Sequence, residues 1–101
     1  MPKAIKGYEL SLPAEQDLSS IYDYTFNEFG ELQAVKYLTG IEQKVLNIVE
    51  SPELGIKREE IRQGLRSIVY EKHVIFYRVM NDTIRIIRVL HGSRDLPKFL
   101  K

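Results

Sequence analysis

Residues 73–95 read HVIFYRVM, then Asn81-Asp82, then TIRIIRVLHGSRD. Two runs rich in β-branched and aromatic side chains flank a two-residue polar break, the strongest short-range signature of a β-hairpin. Asn and Asp tolerate the left-handed backbone that a tight loop requires. With Asn81-Asp82 as the loop, Met80 pairs with Thr83 and the register follows. Ile75, Tyr77 and Val79 then share a face with Ile84, Ile86, Arg88 and Leu90, and this more apolar face is expected to meet the rest of the fold. The opposite face carries Val74, Phe76, Arg78 and Met80 with Thr83, Arg85, Ile87 and Val89. It too is apolar along much of its length, so it needs a cover of its own. Leu96, Phe99 and Leu100 of the tail are candidates, and a partner protein is another. Arg78 falls directly opposite Arg85, a like-charge pair that costs a few tenths to about 1 kcal/mol unless an anion intervenes. Glu59, Glu60 or Asp95 could supply that anion, and so could an acidic partner.

The rest of the chain supplies a surface for this hairpin. Residues 5–11 alternate apolar and polar and read as a first strand. Pro13 suits the first turn of a helix, where its missing N–H costs nothing, and Glu15 and Asp17 complement the helix dipole there. Ala14, Leu18, Ile21, Tyr22, Thr25 and Phe29 recur at three- and four-residue steps, which predicts a helix over 13–29 with one buried stripe. Gly30 is placed to end it in a left-handed cap. A second helix follows at once, with Val35, Leu38, Ile41, Val45 and Ile48 or Val49 inward, and Ser51-Pro52 stops it. Gly40 inside that helix implies close approach of another backbone. Residues 53–63 form the loosest stretch, with Ile61 as its one apolar anchor. Gly64 then opens a strand over 65–70, and Glu71-Lys72 turns into the hairpin. The order is β-α-α-β-β-β, an α+β domain with a helical hairpin on one face of a mainly antiparallel sheet. At 101 residues there is one core and one domain, residues 1–101.

Charge is divided along the chain. Residues 1–56 hold four lysines against nine acidic residues, whereas residues 57–101 hold eleven Lys and Arg, including all seven arginines, against five acids. The split predicts an electropositive sheet face that suits an anionic partner, beside a more acidic helical face. The alternative is that each half is simply solvated. With no cysteine, a disulfide framework, a thiolate nucleophile and cysteine-ligated zinc are excluded. The first residues lack the apolar core of a signal peptide and no run approaches membrane-spanning length, so a cytoplasmic protein without membrane contact is expected.

The residues point to no enzyme mechanism and to no cofactor or metal. There is no phosphate-binding glycine loop, no HExxH and no nucleophile elbow. His73 and His91 fall at strand ends. A metal-free ribonuclease needs cations and an acid–base group around one phosphate. Arg85 and His91 are six residues apart on one strand, roughly 20 Å, and cannot share one. Arg66, Arg88 or Arg94 could lie nearer to His91.

The β-α-α-β-β-β order resembles that of the ParE/RelE superfamily of bacterial type II toxin–antitoxin toxins. So do A-x-x-D-L-x-x-I-x-x-Y at residues 14–24, Ser51-Pro52-Glu53-Leu54-Gly55, Gly64-Leu65-Arg66, and HVIFYR followed by IIRVLHGSRD. The likeness spans nearly the whole chain and is most specific in its last third, where V-L-H followed closely by R-D is similar to the ParE-type branch. It implies a toxin that inhibits DNA gyrase and is neutralised by a ParD-like antitoxin, reaching DNA only indirectly through the antitoxin complex. It also implies an antitoxin segment folding onto the toxin, for which Arg66, Arg78 and Arg85 on the second sheet face are the candidates. Arg94, Asp95, Leu96, Phe99 and Leu100 are the candidates for gyrase engagement. The runner-up is a ribosome-dependent mRNA endonuclease of the RelE type, with His91 and Arg66 cast in its roles. RelE-type members have a tyrosine or histidine near the C-terminus among basic residues, whereas here Gly92 and Ser93 follow His91. A third reading is a toxin-like subunit without toxicity, kept for antitoxin binding or transcriptional autoregulation.

Overall fold

Ser11 is where the first strand becomes the first helix. Its side chain accepts from the Ala14 N–H at 3.1 Å, capping helix α1 (Leu12–Phe29), with Pro13 in the first turn. Its own N–H donates to the Ile86 carbonyl, and its Oγ to that of Ile87 at 2.7 Å. One serine therefore ends strand β1 (Gly7–Leu10), starts α1 and ties both to the sheet. The computed structural model describes residues 4–94 together with Lys98 and Leu100.

Helix α2 (Glu31–Glu50) follows without a loop, and strands β2 (Ile56–Lys57), β3 (Leu65–Tyr70), β4 (His73–Val79) and β5 (Thr83–His91) complete the chain. The sheet runs β1-β5-β4-β3-β2, with β1 parallel to β5 and the remaining pairs antiparallel. This is the expected α+β order, with the two-residue β2 added where residues 53–63 read as loop. Gly30 takes φ 92° and ψ 172°. The positive φ is one that glycine adopts readily, but it is not the left-handed cap expected there.

The helical hairpin packs on one sheet face. Ala14, Ile21, Ile41, Val45 and Ile48 meet Ile75, Tyr77, Ile84, Ile86 and Val89 in the main core. Leu18 and Leu38 pack at its margin. Phe29 and Val35, expected inward, are 68% and 48% exposed, and Ala34 is buried instead. The tip of the hairpin, where α1 ends and α2 begins, extends past the residues that meet the sheet, so sequence periodicity continues where there is nothing to bury against. Gly40 makes room for a side chain rather than a backbone: a Cβ there would overlap the Tyr70 phenol.

A β-bulge overturns part of the predicted register. Met80 and Thr83 close the hairpin as expected, and Val79, Arg78 and Tyr77 pair with Ile84, Arg85 and Ile86. The register then shifts between Phe76 and Tyr77, so that Phe76 pairs with Arg88, Ile75 with Val89 and Val74 with Leu90. One extra residue inverts every later side chain. Val89 thus joins the helix-facing core, while Arg88 and Leu90 move to the opposite face.

That second face has its own core: Leu65, Val74, Phe76, Leu90 and Leu100, with Ile61 and Ile87 packed against it. The tail does cover it, through Leu100. Ile61 anchors the 58–64 segment on it, and the Arg58 guanidinium lies 5.6 Å from the centre of the Phe76 ring.

Candidate functional site

The sheet edge beside α1 is fixed by one carboxylate. Beyond the end of β1, strand β5 would expose unpaired backbone groups. Asp17 accepts from the Val89 N–H at 3.0 Å and from the Arg88 guanidinium at 2.7 and 2.9 Å. This two-pronged pair raises the Arg88 pKa further and holds the side chain at the rim of the outer face. Asp17 sits within the A-x-x-D-L signature, yet as a first-turn acid it read only as a complement to the helix dipole. Its partner lies 71 residues away, which no local pattern reveals.

At the other end of the sheet, Tyr77 is fully buried and binds the loop after α2. Its hydroxyl donates to the Pro52 carbonyl and accepts from the Gly55 N–H, each at 2.8 Å. Burial raises the phenol pKa, with the Gly55 N–H and Arg66 acting the other way. Gly55 must be glycine because a Cβ would come within 2.7 Å of the Tyr77 ring and 2.8 Å of the Ser67 carbonyl. Arg66 completes the clamp by donating to the Gly55 carbonyl at 2.7 Å. Three stretches of the resemblance (51–55, 64–66 and 73–78) therefore meet at one structural joint.

The predicted arginine trio consequently divides. Arg66 pairs with Tyr77 across β3 and β4, on the helix-facing side, and so does not lie on the outer face expected for it. Arg78 and Arg85 are directly opposite each other on the outer face, as the sequence predicts. Neither Glu59 nor Glu60 relieves that pair, and Asp95 lies outside the described residues. Glu9 from β1 relieves it, binding Arg85 at 3.0 Å; Glu60 binds Arg58 and Glu59 accepts from the Gly64 N–H. Among the described residues, Arg78 has no hydrogen-bond or carboxylate partner. A groove of about 420 Å³ runs beside it, lined by Arg62, Arg78, Arg85 and Arg88 together with Pro13, Met80 and Ile87. Four guanidiniums converge on an apolar floor, and among the described residues Arg62 and Arg78 have no carboxylate partner, a surface suited to an acidic, partly apolar segment.

The gyrase candidates are distributed differently. Leu100 is 3% exposed within the outer core. Arg94 is exposed and lines a second cleft. Asp95, Leu96 and Phe99 lie outside the described residues.

That second cleft lies between the helical hairpin and the end of the sheet. His73 and His91 pair across β4 and β5 with ring centres 5.3 Å apart. The Tyr37 hydroxyl and His73 Nδ1 share a 2.7 Å hydrogen bond. Burial, with His91 and Arg94 nearby, lowers the His73 pKa, and burial raises that of Tyr37. His91 Nδ1 accepts from the Ser93 N–H at 3.1 Å, so the proton of the neutral ring is on Nε2. Of the arginines considered near His91, Arg94 shares its cleft, Arg88 is bound to Asp17, and Arg66 belongs to the clamp beneath the α2 exit. Arg66 and His91 therefore do not form one site.

Comparison with known proteins agrees with the architecture. Residues 8–96 match the family model for the ParE toxin of the type II toxin–antitoxin system parDE. The chain is 38% identical to Toxin ParE1 of Caulobacter vibrioides over 90% of its own length and 94% of that protein. It is 35% identical to Toxin ParE1 of Mycobacterium tuberculosis, covering 92% of this chain and 96% of the relative. Among solved structures, a chain of the chromosomal ParDE system from P. aeruginosa superposes with a TM-score of 0.75 at 23% identity, over 87% of this chain and 96% of that one. A chain of the RelBE2 toxin–antitoxin complex from M. tuberculosis superposes less closely, with a TM-score of 0.60 at 18% identity, over 90% of this chain and 99% of that one.

Proposed function

The chain belongs to the ParE family of type II toxin–antitoxin toxins, and we propose that it acts by binding rather than by chemistry. In this reading it inhibits DNA gyrase in the cytoplasm through protein–protein contact, and a ParD-like antitoxin neutralises it. DNA is reached only through the toxin–antitoxin complex. The observation that carries the antitoxin half is the outer-face groove, where Arg78 stands opposite Arg85 and only Arg85 is neutralised, by Glu9. An acidic, partly apolar antitoxin segment that folds onto this face supplies the missing charge.

Two measurements test the reading. Replacing Arg78 and Arg85 together by Glu should weaken antitoxin binding by tenfold or more while the fold survives; unchanged affinity in a folded variant would sink it. Purified toxin should block gyrase supercoiling and leave mRNA on translating ribosomes uncut. The opposite pattern assigns the chain to RelE-type endonuclease action, and activity in neither assay leaves an antitoxin-binding subunit without toxicity. For the gyrase contact, burial of Leu100 narrows the candidates to Arg94, Asp95, Leu96 and Phe99. Substituting Arg94, Leu96 and Phe99 while keeping Leu100 should abolish gyrase inhibition without reducing antitoxin affinity.

A further inference from the structure

The cleft under the helical hairpin is separate from the outer-face groove and has a different chemistry. Its volume is about 740 Å³, within the range of sites that enclose a small organic ligand. Its helical wall presents flat rings: Tyr24 and Phe29 are 64% and 68% exposed. These rings remain uncovered because the hairpin tip extends past the sheet. Its floor, at the sheet end, presents donors in Lys72 and in the His91 ring with its proton on Nε2, and Arg94 adds positive charge to the same lining. Glu71 is the one carboxylate in the lining among the described residues. The β3–β4 turn that carries Glu71 and Lys72 is tight, with Glu71 at φ 52°, and it sets Lys72 beside the paired histidines. His73 is committed to Tyr37 and forms part of the wall that holds this arrangement.

Aromatic faces on one wall and cations on the facing floor match a ligand with a planar ring at one end and an anionic group at the other. Stacking on an exposed ring is favourable and tolerant of base identity, while ammonium and imidazole N–H groups bind phosphate oxygens. We propose that this cleft binds a mononucleotide, with the base against Tyr24 and Phe29 and the phosphate on Lys72 and His91 Nε2. Among the described residues the site shares none with the groove around Arg78 and only Arg94 with the gyrase candidates, and it can be assayed on the toxin alone.

The test is titration of the purified full-length chain with AMP, adenosine and inorganic phosphate, followed by calorimetry and amide chemical shifts. AMP should bind at least tenfold more tightly than either fragment, with the largest shifts at Lys72, His73 and His91. Tyr24→Ala and Lys72→Glu change exposed side chains and should each weaken AMP at least fivefold with an unchanged thermal midpoint. Arg78→Glu, on the remote face, should leave AMP binding unchanged. AMP binding no tighter than phosphate overturns the proposal, as does equal loss in the Arg78 variant. Binding of a short oligonucleotide with none of AMP also overturns it.

Discussion

The two faces of one sheet are built from the same strands and do different work. The helix-facing side buries Ile75, Tyr77, Ile84 and Ile86 completely, and the Tyr77 hydroxyl among them makes two hydrogen bonds. The outer side is divided. One part is a small core sealed by Ile61 and Leu100, and the other is the arginine groove around Arg78. Buried apolar contacts are therefore concentrated on the first face, and the proposed antitoxin recognition falls on the second. Two helices keep charge out of the centre of the face they cover, whereas a face covered by a short segment and a tail can keep several guanidiniums at its solvated margin.

Substitutions on the two faces should separate accordingly. Ile86→Ala removes a fully buried side chain from the centre of the helix-facing core and should cost about 3 kcal/mol, read from urea unfolding. A cost below about 1 kcal/mol would mean that this face does not dominate stability. Asp17→Ala removes the carboxylate that binds both the largely buried Arg88 guanidinium and the Val89 N–H and should cost roughly 2–3 kcal/mol. Asp17→Asn should recover part of it, and full recovery would show that the charge contributes nothing. Leu100→Ala opens the outer core near the chain end, where neighbours can collapse into the space, and should cost about 2 kcal/mol; no change would mean that the tail does not seal that face. Arg78→Glu should alter stability by only a few tenths of a kcal/mol, in the stabilising direction, because it converts a like-charged cross-strand pair into an attractive one. A marked loss of stability would show that Arg78 is structural and not part of a binding surface.

A pH effect probes the boundary between the helices and the sheet end. The folded state holds the His73 pKa below its ordinary 6.5, so the unfolded chain takes up the proton more readily. The stabilisation associated with neutral His73 is complete above about pH 6.5 and is lost as pH falls below that value toward the folded pKa. In His73→Gln the fall in urea midpoint between pH 7.5 and 5.5 should be shallower than in the parent. Parallel curves would remove His73 as the titrating group.

Local patterns carried much of this fold. The Asn81-Asp82 loop, the Arg78–Arg85 pairing and both helices were legible because each depends on residues close in sequence. The buried stripe was legible through Ala14, Ile21, Ile41 and Val45, and it failed at Phe29 and Val35, where helical period persists but the partner surface ends. The site was half legible. Arg78 and Arg85 fell on the expected face, whereas Arg66 did not, because β3 register depends on pairing with β4 and not on its own sequence. Asp17 sits in a motif that does not reveal its distant partners Arg88 and Val89, and the grouping of His73, His91, Tyr37 and Arg94 has no sequence signal beyond two histidines at strand ends.

What the sequence by itself determined is the set of elements and their order. Apolar periods of 3.6 and 2, a proline, a tight loop and a run of β-branched residues act over a few positions. The tertiary structure alone decided which side chains share a face. The bulge between Phe76 and Tyr77 moved Val89 inward and Leu90 outward, because strand side chains alternate with period two and one added residue inverts all that follow. It also decided that Glu9, not a nearer acid, neutralises Arg85, because parallel pairing of β1 with β5 brings together residues 76 positions apart.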